Sequence, residues 1–154
     1  MKKILLGLFL ILGVVSFALP NYVSEEKIRN SGYEITDEEE FGFRIARQKN
    51  NGDATVILYY LDYPEVSSAK QLSEMSVKTA PEEFKFLEST ENKKAYINKF
   101  VSPEGKGVYS FVGKKSKIKN CYIVIMHSTN KQLSNSELTK AVDTLLDEAE
   151  SFLN

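Results

Sequence analysis

This chain of 154 residues contains one cysteine, one histidine, four prolines and no tryptophan. A single cysteine cannot form a disulfide within the chain, so the fold must be stable through its hydrophobic core alone. A single histidine excludes any metal site that needs two histidines from one chain. The sequence also lacks the Gly-x-Ser-x-Gly turn of hydrolases and any phosphate-binding glycine loop. It therefore predicts no cofactor and no metal.

The N-terminus has the three parts of a cleavable secretory signal peptide. Lys2 and Lys3 precede an apolar run over residues 4–15, and Ser16-Phe17-Ala18 places small residues at the −3 and −1 positions of a cleavage site. The run is shorter than the roughly 20 residues that span a bilayer. We therefore interpret residues 1–18 as a signal peptide that is cleaved after Ala18. The alternative is an uncleaved anchor, because residues 17–19 extend the apolar stretch.

Cleavage after Ala18 leaves 136 residues, which is the size of one domain. These carry 18 basic and 21 acidic residues, a net charge of −3. This charge favours solubility and argues against nucleic acid as the main partner.

Residues 19–40 predict a short helix and an acidic lead-in. Ser24 is a candidate N-cap, and Gly32 is a candidate left-handed residue after the helix end. The acidic run Asp37-Glu38-Glu39-Glu40 is interpreted as a solvated turn.

Residues 41–154 predict a single α+β domain. Apolar residues alternate from Phe41 to Ile45, Asn51-Gly52 predicts a hairpin turn, and residues 54–61 form a central strand. Further extended segments are predicted around residues 84–87, 94–101, 108–112 and 118–128.

Two helices have clear start signals. Ser68 and Gln71 predict a capping box before a helix over residues 69–80, with Ser68 as the N-cap and the Gln71 side chain reaching back to it. Ser134 and Glu137 predict a second capping box before a helix over 135–153. That last helix carries an apolar stripe of eight residues: Leu138, Ala141, Val142, Leu145, Leu146, Ala149, Phe152 and Leu153. Short connections favour antiparallel strands, so we expect an antiparallel sheet with helices packed on it in an α/β/α arrangement.

Cys121 and His127 are the obvious candidates for a nucleophile and its base. They share a face of one predicted strand, but six residues of strand span about 20 Å, so the two side chains cannot touch. We expect Cys121 to be a buried apolar residue and His127 to lie at a strand end.

Four lysines cluster around a predicted turn: Lys114, Lys115, Lys117 and Lys119. Such a patch could bind an anionic partner, such as lipid head groups, a cell-wall polymer or an acidic protein. The alternative is that the lysines only protect a hairpin edge against unwanted strand pairing.

The order of elements resembles the PsbP-like fold superfamily. The points of likeness are the hairpin at Asn51-Gly52, the helix over 69–80, the meander after it, and a last helix that ends at Ser151-Phe152. The resemblance implies an antiparallel sheet with helices on both faces, and an accessory or binding subunit without enzymatic activity.

These observations favour an exported, non-catalytic accessory or binding protein of the cell envelope, periplasmic or secreted. Its partner would be an envelope protein or polymer, and no transmembrane segment would remain after cleavage. The alternative is a small periplasmic or secreted hydrolase that uses a pair of carboxylates, which no sequence motif selects.

We predict that the exported protein begins at Leu19. Signal peptidase accepts small side chains at −3 and −1, and Ser16 and Ala18 satisfy both positions. N-terminal sequencing of the exported fraction checks this cleavage. An intact N-terminus recovered with the membrane fraction would establish the anchor instead.

Overall fold

A computed structural model describes residues 19–39, 42–49, 54–62 and 65–154 of the chain. The predicted signal peptide, residues 1–18, and the predicted turn at Asn51-Gly52 lie outside the described residues.

The described residues form three helices and seven strands. The helices are α1 (Glu25–Asn30), α2 (Ala69–Lys78) and α3 (Asn135–Ser151). The strands are β1 (Glu34–Glu39), β2 (Gly42–Lys49), β3 (Ala54–Leu61), β4 (Lys85–Glu91), β5 (Ala95–Val101), β6 (Gly107–Gly113) and β7 (Tyr122–Thr129).

All seven strands form one antiparallel sheet in the order β1-β2-β3-β7-β6-β5-β4. Strands β1 to β3 form one meander and β4 to β6 form another. The last strand, β7, lies between the two and pairs with both β3 and β6. The fold is therefore α+β with helices packed on an antiparallel sheet, as the sequence predicts.

The sheet has a hydrophobic core on each face. On one face α1 and α3 cover side chains such as Ile45, Leu58 and Ile125. On the other face α2 covers side chains such as Tyr59 and Val124. Alternate residues of the central strands supply the two cores, because successive side chains of a strand point to opposite faces. This explains why residues 54–61 are apolar almost throughout.

Helix α1 begins and ends at the predicted residues. Ser24 Oγ accepts a hydrogen bond from the Lys27 amide at 3.4 Å. At the other end Gly32 has φ +78°, and the amides of Gly32 and Tyr33 donate to the carbonyls of Arg29 and Ile28. This is a Schellman motif, which needs a residue with positive φ after the helix end.

The interpretation of the acidic run as a solvated turn is wrong for residues 37–39, which belong to a strand. Residues 34–39 form β1, which pairs with β2 and contains an irregularity between Ile35 and Asp37. Acidic residues are uncommon in strands, but the ladder with β2 satisfies the backbone of this segment and outweighs that preference. The lead-in is also part of the core, since Ile28 and Tyr33 are buried with the sheet residues.

Both later helices have the predicted N-caps. Ser134 accepts from the Glu137 amide at 3.2 Å, while the Glu137 carboxylate accepts from the Ser134 amide at 2.9 Å, which completes the capping box. Ser68 caps α2 through the Gln71 amide at 3.1 Å. The Gln71 side chain reaches back one residue further than predicted, to the Ser67 amide at 2.9 Å.

Tyr60 and Arg47 are among the residues that hold α3 against the rest of the domain through polar contacts. Tyr60 donates from its buried hydroxyl to the Ala149 carbonyl at 2.7 Å. The Arg47 guanidinium donates to both Glu148 oxygens at 2.5 and 2.9 Å, and to the Ser31 carbonyl at 2.9 Å. The same guanidinium lies 4.2 Å from the centre of the Tyr33 ring. Arg47 of β2 thus links α3 to the end of α1.

We predict that Leu145→Ala or Leu146→Ala destabilises the protein more than Ser134→Ala. Both leucines are buried against the sheet. A buried Leu→Ala change costs about 2 to 5 kcal/mol, whereas loss of an N-cap costs about 1 kcal/mol. Urea titrations of the three variants measure the difference. Wild-type midpoints for both leucine variants would mean that the stripe does not pack on the sheet.

Candidate functional site

An open groove of about 510 Å³ lies on the α2 face of the sheet. It lies beyond the C-terminal end of α2, at the end of the sheet where β3 begins and β7 ends. Its lining residues, which we call the α2-face groove, are Gln48, Thr55, Ile57, Pro81, Glu83, Phe84, Ser102, Pro103, Glu104, Lys106, Val108, Met126, His127 and Ser128.

The groove exists because α2 is too short to cover this end of the sheet. The helix ends at Lys78. Pro81 follows, and a turn in which the Phe84 amide donates to the Pro81 carbonyl at 3.0 Å leads into β4. The core side chains Ile57, Val108 and Met126 form the floor of the groove, and each of them is almost fully buried by its neighbours.

The opposite wall is the turn between β5 and β6. The Ser102 amide donates to the Lys106 carbonyl at 3.0 Å, and the Gly105 amide donates to the Ser102 carbonyl at 2.9 Å. Gly105 has φ +82°, a conformation that glycine adopts without steric cost. This turn holds Glu104 and Lys106 at the rim of the groove.

The carboxyl groups with shifted pKa values do not have the property of a general acid. A hydrogen bond from Ser102 lowers the pKa of Glu104 at the groove rim. The pKa values of Glu91 and Glu137 are also lowered, chiefly by hydrogen bonds from Lys114 and Lys131. A carboxyl that donates a proton near neutral pH needs a raised pKa. The hydrolase alternative gains no support from these three groups.

The structure keeps Cys121 and His127 apart, as the sequence predicts. Cys121 is buried just before β7, and its burial raises the pKa of the thiol to about 11. His127 lies six positions further along, in the last part of β7, where it is half-buried beside the rings of Tyr109 and Phe111 at 6.5 and 6.4 Å. A thiol with a raised pKa is a poor nucleophile, so this pair is not a catalytic dyad.

The four lysines lie in the connection from β6 to β7, residues 114–121, which we call the basic loop. The Lys114 ammonium group contacts two neighbouring side chains. It forms an ion pair with Glu91, and it lies 4.7 Å from the centre of the Tyr96 ring. Lys115, Lys117 and Lys119 are exposed, and the ion pairs between described side chains do not include them. The available patch is therefore three lysines rather than four.

Strand β4 forms the outer edge of the sheet next to β5. All seven of its residues are exposed, because neither helix layer reaches it. Phe86 and Leu87 are its large apolar side chains, and Phe86 packs edge-on against Phe100 at 5.6 Å. Lysine and glutamate residues and an irregularity between Phe86 and Glu88 interrupt this edge. Such features discourage edge-to-edge pairing.

Two further searches cover only the described part of the chain. No group of three histidine, cysteine, aspartate or glutamate residues there could hold a metal ion. None of its three helices has the length and hydropathy needed to cross a membrane.

No model of a known protein family matches this chain, and no curated protein is significantly similar to it in sequence.

The groove is the feature that sequence reasoning misses. Its walls come from five segments that are far apart in the sequence, and none of them carries a motif. The one available signal is Pro81, which the sequence places just beyond the end of α2. A helix that stops above a sheet leaves space beyond its end, but only the strand order shows which residues line that space.

We predict that thiol reagents label Cys121 slowly in the native protein and rapidly in urea. Cys121 is buried, and its raised pKa keeps the thiolate scarce at neutral pH. A Cys121→Ser, Ser136→Cys variant is the control, because Ser136 is exposed on α3 and its replacement should react rapidly in the native state. Rapid labelling of native Cys121 would reopen a redox or nucleophilic role for it.

Proposed function

We propose that this chain is an exported, non-catalytic accessory or binding protein of the cell envelope, and that its partner binds in the α2-face groove. The observation that carries this proposal is the composition of the groove. An apolar floor of sheet residues lies between polar and charged rim residues, and the volume of about 510 Å³ is within the usual range for ligand sites.

The apolar and the charged residues at the opening of the groove have different roles in binding. Phe84 is half-buried and Pro103 is exposed, and burial of these two side chains by a partner would remove apolar surface from water, which is the general driving force of association. Glu104 and Lys106 at the rim carry opposite charges and can orient a partner without deep burial. The groove is open rather than enclosed, which suits a segment of a larger molecule, such as an envelope protein or a polymer.

A hydrolase with two carboxylates has less support. Glu83 and Glu104 both line the groove and are both exposed, so they offer no desolvated site for a general acid. The pKa of Glu104 moves in the wrong direction for that role. The groove therefore has the chemistry of recognition rather than of proton transfer.

The compartment is proposed from the sequence. The signal-like residues 1–18 direct the chain to the periplasm or the medium, and the absence of a second cysteine is compatible with an oxidising environment. The resemblance to the PsbP-like fold superfamily, which implies an accessory subunit, stays a prediction because no family model or curated relative tests it.

Site-specific photocrosslinking in the exporting cell tests the groove. A photoreactive phenylalanine analogue at Gln48 or Glu104, both exposed at the groove, should give a discrete crosslinked product. The same analogue at Glu26 on α1 or Thr139 on α3 should give none, since these exposed positions lie away from the groove. The mass of the product distinguishes a protein partner from a polymer.

Two results would contradict the proposal. Equal crosslinking from all four positions would indicate random collision, and crosslinking from the control positions alone would place the partner on the α1 and α3 face. Accumulation of the chain in the cytoplasm would separately disprove export.

A further inference from the structure

Three uncharged polar side chains lie side by side within the α2-face groove, at the end of the sheet. They belong to Gln48 of β2, Thr55 of β3 and Ser128 of β7, and we call them the polar row. The ladder pairs Gln48 with Thr55, and Thr55 with Ser128. All three face the α2 side of the sheet, because each lies two positions from a core residue of that face.

The polar row is accessible, and its side chains are not used within the described part of the chain. Gln48 is exposed, and Thr55 and Ser128 are half-buried. None of the side-chain hydrogen bonds among the described residues includes them. Ser102, which also lines the groove, differs because its hydroxyl accepts from the Lys106 amide at 3.1 Å. An amide and two hydroxyls both donate and accept, so the row can bind a ligand that does the same.

The charges at the groove do not favour a charged polymer. The charged lining residues are Glu83, Glu104 and Lys106, which lie before β4 and in the turn between β5 and β6. The His127 ring lies on the other face of the sheet, beside Tyr109. A uniformly charged polymer of either sign would therefore meet a like charge on these walls. An uncharged ligand avoids this cost.

The spacing of the polar row suits a glycan better than a peptide. Neighbouring strands lie about 4.8 Å apart, so the three side chains repeat at about that distance in a line across the strands. An extended peptide presents groups on one side only at every second residue, roughly 7 Å apart. The rings of an extended β-linked glycan follow one another at close to the strand spacing, and each ring carries hydroxyls along its edge.

Strand addition is not available to a peptide at this place. Strands β3, β7 and β6 are each paired on both sides, so their backbone groups are already used in the ladder. A ligand must therefore bind through side chains. Phe84 and Pro103 offer apolar surface beside the row, and the faces of sugar rings carry C–H groups that can pack on such surface.

We propose that the polar row is the subsite for an extended, uncharged, β-linked polysaccharide that lies across β2, β3 and β7. Gln48, Thr55 and Ser128 exchange hydrogen bonds with hydroxyls at the edges of successive sugar rings. The inference rests on the proposed function, because it names the chemical class of the partner that binds in the groove.

Isothermal titration calorimetry with the exported protein, as the cell processes it, tests the subsite. The probes are cellohexaose and chitohexaose, which are extended β-linked chains, and maltohexaose, which is uncharged but α-linked and curved. The row variant carries Gln48→Ala, Thr55→Val and Ser128→Ala. The control variant makes closely matched changes at exposed positions of α1 and α3, and it carries Asn30→Ala, Thr144→Val and Ser136→Ala.

We expect wild type and the control variant to bind at least one of the two β-linked sugars, and to bind maltohexaose more weakly. Each hydrogen bond between uncharged groups strengthens binding about five-fold, so the row variant should bind on the order of 100-fold more weakly. Added salt should change the affinity little, because the contacts are uncharged. Matching urea midpoints for the three proteins would show that lost contacts, and not lost folding, cause the difference.

Four outcomes would overturn the inference. Wild type that bound neither β-linked sugar would lack the subsite, and equal binding by the row variant would place the sugar elsewhere. Equal losses in the row and control variants would remove the role of the row. Maltohexaose binding as tight as that of the β-linked sugars would contradict the argument from spacing.

Failure of this inference can be distinguished from failure of the proposed function. Crosslinking from Glu104 leaves the polar row intact. A crosslinked protein at Glu104, together with no sugar binding, would keep the groove as a binding site and overturn only the glycan. The absence of any crosslink from the groove in the cell would contradict the proposed function, whatever the calorimetry gives.

Discussion

The fold depends on the insertion of β7 between β3 and β6. Each meander can form from local pairing, but the two become one sheet only when the strand that is last in sequence lies between them. Its buried residues supply both cores, with Ile123 and Ile125 facing α3, and Val124 and Met126 facing the α2 side. The strand must therefore be apolar on both faces, which is the pattern of residues 122–126. Because β3 and β7 are far apart in sequence, their pairing closes a long loop and carries its entropic cost.

The position of α3 also depends on where β7 lies in the sheet. The connection from Thr129 to Ser134 leads directly into α3, which runs back over the face that β7 completes. The Leu133 amide donates to the Tyr109 hydroxyl at 2.7 Å near the start of the helix, and Tyr60 donates to the Ala149 carbonyl near its end. These two tyrosines come from β6 and β3, the two neighbours of β7. The orientation of α3 thus depends on the completed centre of the sheet.

The sequence predicts the parts of this fold that rest on local chemistry. Ser24, Ser68 and Ser134 mark three helix starts because a side-chain oxygen at the N-cap satisfies an amide that the helix leaves unpaired. Periodicity identifies α3 and the central strands because burial imposes it. Two features are not predicted from the sequence. One is β1, where pairing with β2 outweighs an acidic composition, and the other is the groove, because only the strand order brings its lining residues together. Lys114 is a similar case: only the fold brings Glu91 and Tyr96 to it, and so separates it from the other three lysines.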